Sequence, residues 1–115
     1  VYGKNQRPDL VIHKFFNQIS QNKPIEIYGN GETKRDYTYI DDVVEAFYNS
    51  VLYLEKTKQD IYEIINIGND KPISLLKLLD YIKEAIQTDK IEFVKKEIEK
   101  GDVETTHADI EKAKK

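Results

Sequence analysis

Ile25-Glu-Ile-Tyr28-Gly-Asn-Gly31-Glu-Thr-Lys-Arg35-Asp-Tyr-Thr-Tyr-Ile40-Asp-Asp42 is the run whose reading decides the fold class of this chain. Ile25 and Ile27 alternate with Glu26 and Tyr28, the period of a strand with one buried face. Gly29-Asn30-Gly31 turns the chain, and Arg35 to Ile40 again alternates polar and apolar residues, as a second strand would. Asp41-Asp42 then opens a helix with Val43, Val44, Phe47, Val51 and Leu52 on one face. Asp42 and Glu45 have the form of a capping box, with acids at the positive end of the helix. Two strands, a turn and a helix in immediate succession point to a mixed α/β domain.

Outward from this run the pattern continues. Residues 3–9 form a polar loop. Val11, Ile12, Phe15, Phe16 and Ile19 recur at helical spacing and predict an amphipathic helix to about Asn22, closed off by Pro24. On the other side, Ile61-Tyr62-Glu63-Ile64-Ile65-Asn66-Ile67 is the most apolar strand candidate, the kind found inside a covered parallel sheet. Gly68-Asn69-Asp70 turns, and Ser74 is placed to cap a helix bearing Leu75, Leu76, Leu78, Leu79, Ile82 and Ile86. Ile91 to Val94 predicts a short strand, a charged loop follows, and Asp109 is placed to cap a last helix. Segment 61–67 is anomalous, since this chain supplies too few strands to surround one that is apolar on both faces.

With 115 residues, the chain has the length of one small domain. Apolar residues make up 39% and charged residues 34%, a globular balance. Eighteen basic against 21 acidic side chains give a formal charge of -3, which argues against a phosphate-neutralising nucleic-acid surface. No apolar run approaches a membrane span, and no signal peptide opens the chain. Without cysteine there is no disulfide framework and no thiolate metal site, and a cytoplasmic setting is expected. Val1-Tyr2-Gly3 reads as the end of an apolar strand, and Glu111 to Lys115 reads as helix. Both ends therefore suggest a piece of a longer protein.

Arg35 is the side chain most suited to ligand chemistry. A strand fixes it better than a loop would, and its planar fork matches phosphate bidentately. The other reading is a surface Arg paired with Asp36 or Glu32.

The same run resembles the extended short-chain dehydrogenase/reductase family, whose sugar-nucleotide-binding half carries G-x-P-I-x-x-Y-G-x-G-x-x-x-R-D-[FY]-x-Y-[IV]-D-D. Lys23-Pro24-Ile25, Tyr28-Gly29, Gly31 and Arg35 to Asp42 fall in register with it. Asn66-Ile67-Gly68 with Ser74 resembles the family's N-x-G … S. Gly101-Asp102-Val103, Thr105 or Thr106, Ala108-Asp109 and Lys112-Ala113 resemble its G-D-V-x-x-T-x-A-D-x-x-K-A. Val1-Tyr2-Gly3 is similar to the V-Y-G-P before the substrate loop, and Arg7-Pro8-Asp9 most resembles the R-P-D-M of UDP-glucuronate 4-epimerases.

This resemblance implies a small α/β substrate-binding domain over residues 1–115, the C-terminal part of a Rossmann-type nucleotide-sugar epimerase. It implies that NAD is held by a separate N-terminal domain, that the substrate is a UDP-sugar, and that the parent is a homodimer; charge and hydropathy add the expectation of no nucleic-acid and no membrane partner. By the same resemblance the backbone of Glu26 to Tyr28 would meet uracil, Arg35 the diphosphate and Asp102 the ribose hydroxyls. Arg7 would meet the uronate carboxylate. Oxidation at C4 makes a β-keto acid, and a bidentate Arg can hold its carboxylate away from the geometry that loses carbon dioxide. Arg7 can equally be a solvated loop residue, and Asp102 a turn residue after Gly101.

The chain departs from the family pattern at three places. Lys4 replaces the usual Pro, Leu10 the usual Met, and Glu99 stands where many relatives carry a second phosphate-binding Arg. Two further motifs are missing from the sequence. There is no G-x-x-G-x-x-G to cradle NAD at a helix N-terminus. No Tyr has a Lys four residues on, so the family's catalytic pair is absent and the fragment alone is expected to be inactive. His13 and His107 have no third ligand at metal spacing and read as structural or solvated.

Overall fold

In the computed structural model, which describes residues 1–98 and 101–115, the apolar side chains close around one short strand. This strand, β1 (Ile25–Tyr28), buries Ile25 and Ile27 and leaves Glu26 and Tyr28 half-buried. Its core partners come from two helices. α1 (Val11–Ser20) contributes Phe15 and Ile19, four apart on one face, and α3 (Leu75–Ile86) contributes Leu78, Leu79 and Ile82. These seven side chains form the buried core. Ser74 caps α3 as expected, its hydroxyl accepting the Lys77 N–H at 3.2 Å, and Gln87 ends the helix in the left-handed region.

β1 does not fold back into a hairpin with the next strand. It pairs in parallel with β4 (Phe93–Lys96), register Ile25 with Phe93, which moves the last strand two residues beyond the expected 91–94. The Gly29–Gly31 turn is occupied otherwise. The carbonyls of Gly31 and Thr33 accept the Leu76 and Leu75 N–H groups, satisfying donors that the first turn of α3 leaves open. Gly31 lies at φ 78° with Leu76 so close that an added Cβ would meet it at 2.9 Å.

The strand expected over 35–40 shortens to β2 (Lys34–Arg35), antiparallel to β3 (Ile73–Ser74), with Lys34 also bridged in parallel to Thr105. It stops because its partners stop, and the chain goes on to start α2 (Ile40–Lys56). Tyr39 takes the N-cap position with no side-chain bond, so the Asp42–Glu45 box does not form. Asp41 and Asp42 instead lie in the first turn, where they favour the helix dipole. Tyr2 joins this junction, donating to the Thr38 carbonyl and accepting from Ile40, both at 2.9 Å.

The remaining half is open. α2 buries no residue, and Phe47 is 72% exposed. Residues 61–67 form no ladder among the described residues, and Tyr62 is 90% exposed. The residues expected to form a strand there thus join no sheet among the described residues. Asp109 caps no helix either. Its carboxylate accepts the Glu111 N–H at 3.0 Å and starts a single turn. The result is elongated, 57 × 29 × 20 Å.

Candidate functional site

Arg35 and Asp102, 67 positions apart, meet at 2.6 Å through Nη2 and Oδ1. β2 supplies Arg35, and residues 104–106 run beside it. Lys34 donates to the Glu104 carbonyl at 2.8 Å and accepts from the Thr106 N–H at 3.1 Å. Asp102 therefore arrives over β2 just ahead of that ladder. The guanidinium also donates to the main-chain oxygens of Lys34 at 2.9 Å and Glu104 at 3.4 Å. Three acceptors hold the planar group in place while 29% of the side chain stays exposed, so the cation is fixed and still reachable. Burial raises the pKa of the neighbouring Tyr37, and the Arg35 charge opposes that rise.

β1 offers a different chemistry. Ile25 donates to Glu92 at 3.0 Å and Gly29 to Lys96 at 2.8 Å, so the odd-numbered residues face β4. By the alternation of a strand, the main-chain N–H and C=O of Glu26 and Tyr28 point to the opposite edge. No strand pairs there among the described residues. An adjacent donor and acceptor on a rigid edge suit one side of a planar amide-like ring. The Glu26 carboxylate is itself held between Lys14 at 3.4 Å and Lys96 at 3.6 Å.

Arg7 is placed apart from this group. It pairs bidentately with Asp9, two residues on, at 2.7 and 3.0 Å, and holds that carboxyl below its usual range. Both side chains are exposed, and no contact joins them to Arg35 or Asp102 among the described residues. The substitution read at Glu99 lies outside the described residues.

Two features were not visible in the sequence. The Asp36 carboxylate accepts the N–H groups of Asn69, Asp70 and Ala108 at 3.1–3.2 Å. Next to it, His107 Nε2 lies 2.8 Å from Asp70, and Lys114 lies 3.3 Å from the same carboxylate. Asp36, Thr38, Asn66, Gly68, Thr106 and His107 line a shallow cleft of about 330 Å³. Asn66, Gly68, Thr106 and Ala108 stand in the family motifs, but nothing in their spacing shows that they meet.

Among the described residues the three helices are preceded by Leu10, Tyr39 and Ser74, none in a glycine-rich turn, and Gly29 and Gly31 lead into β2, so none of these helix starts forms the glycine-rich cradle that suits NAD. Among the described residues no helix is long and apolar enough to cross a membrane.

Comparison with known proteins agrees with this architecture. Residues 1–68 match the NAD dependent epimerase/dehydratase family. A UDP-glucuronate 4-epimerase of Thermodesulfobacterium geofontis is 41% identical over all of this chain and 34% of its own length. The crystal structure of UDP-glucuronic acid 4-epimerase from Bacillus cereus, with UDP-glucuronic acid and NAD, superposes with TM-score 0.85 at 33% identity. It does so over 97% of this chain and 34% of that one. The Thermotoga maritima UDP-glucose 4-epimerase with UDP-glucose gives TM-score 0.80 at 34% identity, over 98% and 35%. The chain spans about a third of the length of the relatives it matches.

Proposed function

The chain belongs to the NAD dependent epimerase/dehydratase family, and from that membership we propose that it is the sugar-nucleotide-binding part of an enzyme interconverting UDP-glucuronate and UDP-galacturonate at C4. The observation that carries the reading is the Arg35–Asp102 pair. Two residues remote in sequence, each suited to a different part of a nucleoside diphosphate, come together beside one strand. In this reading Arg35 presents its remaining N–H groups to the diphosphate, and the outer edge of Asp102 accepts from the ribose hydroxyls. The main-chain groups of Glu26 and Tyr28 meet the donor and acceptor edge of uracil.

NAD, when bound, would supply the redox chemistry at C4, and the share of this chain's residues in this reading is to bind and orient the substrate. Arg7 is assigned to the uronate carboxylate, for which it exchanges its exposed Asp9 partner. An exposed ion pair contributes little stability, so the exchange costs little.

Product analysis on the intact protein tests the assignment. With UDP-glucuronate and NAD, UDP-galacturonate is expected. A UDP-pentose with released carbon dioxide would make the protein a decarboxylase, and a 4-keto-6-deoxy sugar from UDP-glucose or dTDP-glucose would make it a dehydratase.

A further inference from the structure

The segment that brings Asp102 to Arg35 has almost nothing apolar to hold it. Every residue from 101 to 107 is exposed, and Val103, its one large apolar side chain, is 57% exposed. Its position therefore rests on polar ties. Two belong to the Lys34 ladder. Arg35 holds Asp102 and the Glu104 carbonyl, and His107 pairs with Asp70. A further group converges on Asp36, which follows Arg35 directly.

Asp36 donates its own N–H to Thr106 Oγ1 at 3.3 Å, and its carboxylate takes the Ala108 N–H at 3.2 Å. The same carboxylate takes the consecutive N–H groups of Asn69 at 3.1 Å and Asp70 at 3.2 Å. Asp70 lies at φ 56°, so these two N–H groups converge as an anion-binding nest, and the anion is a side chain of the protein. Gly68 leaves the space, since a Cβ there would run into the Ala108 methyl group and meet Asp36 Oδ2 at 2.8 Å. One carboxylate thus ties β2 to residues 69–70 and to residue 108. The 102–108 segment is pinned at both ends, with Asp102 at one and Ala108 at the other.

We propose that Asp36 is a positioning residue for the nucleotide site: it holds residues 104–108 against β2 and so sets Asp102 on Arg35. This rests on the reading of Arg35 and Asp102 as nucleotide contacts. Asp36 touches no ligand itself. Its effect on binding passes through those two residues, so it disappears when they are gone.

The test is a cycle of UDP affinities measured by calorimetry on the intact protein. Asp36→Asn keeps the size but loses the charge and one acceptor, and should weaken UDP about tenfold, the scale of one charge-assisted contact. On the Arg35→Ala/Asp102→Ala background the same change should cost less than about twofold. Gly68→Ala, which crowds both that oxygen and Ala108 at the same end of the segment and leaves the charge, should reproduce this pattern, and it stands in if Asp36→Asn does not fold. Wild-type UDP affinity in both variants would overturn the proposal. So would an equal loss on both backgrounds, since that is a general structural effect. If Arg35→Ala alone leaves UDP binding unchanged, the nucleotide reading fails. Amide exchange then still judges the clamp, because Asp36→Asn must speed exchange at Asn69, Asp70 and Ala108, and unchanged rates there would refute it.

Discussion

Replacing Arg35 by Ala in the intact protein removes a cation that three acceptors hold in one orientation. Because that ordering is already present without ligand, a phosphate would meet a fork that has little rotamer freedom left to lose. A charge-assisted contact of this kind contributes about 1.5–3 kcal/mol. The variant also leaves Asp102 without its partner beside the diphosphate. Two like charges about 6 Å apart in water repel by about 0.7 kcal/mol, and the 40% exposure of Asp102 keeps the value at that watery end. Together these give about 2.2–3.7 kcal/mol, or roughly 40- to 500-fold weaker UDP binding. Arg35→Lys keeps the charge and loses the fork, so it should fall between wild type and Ala. Titration calorimetry with UDP at low salt and at about 1 M salt reads both parts, since the repulsion is screened and the gap should narrow. A change below about twofold at both salt concentrations would show that Arg35 is only an ion-pair residue on the surface.

Other outcomes follow from the same geometry. Arg7→Ala should impair UDP-glucuronate more than UDP-glucose and let some decarboxylated pentose escape; equal losses on both substrates would remove the carboxylate role. Amides 62–67 of the isolated chain, having no ladder, should exchange nearly unprotected in a dilute monomeric sample, while those of α3 are slow; strong protection would mean that the chain completes a sheet there. His107 first, and then Lys114, hold the Asp70 carboxyl below its ordinary 3.8. The folded chain then binds fewer protons than the unfolded one, so this contribution is present above about pH 4 and lost as pH falls further. Denaturation midpoints between pH 5 and 2 should fall less steeply in Asp70→Asn, and an unchanged slope would refute the coupling.

The sequence was most legible where one element settles its own structure. The i, i+3, i+4 spacing of α1 and α3, the Ser74 cap and the alternation of Ile25 and Ile27 all appear as read. It was least legible where a residue's partner is distant or absent. The Gly29–Gly31 turn looked like a hairpin because nothing local shows that α3 takes its carbonyls or that β4 takes its strand. Residues 61–67 carried a true strand signal, but a strand needs a neighbour, and none is present among the described residues. Arg35 and Asp102 were each visible through the family motifs. Their meeting was not, because the ladder between Lys34 and residues 104–106 is a long-range fact. Asp36 was read as a motif position and as an alternative partner for Arg35, and its carboxylate instead takes the N–H groups of Asn69, Asp70 and Ala108.

A crystal structure of the intact protein with UDP tests the central claim most directly. The account predicts the diphosphate on the Arg35 guanidinium, the ribose hydroxyls on Asp102, and the uracil edge on the main chain of Glu26 and Tyr28. UDP bound elsewhere, with the Arg35–Asp102 pair closed and remote from it, would contradict the account.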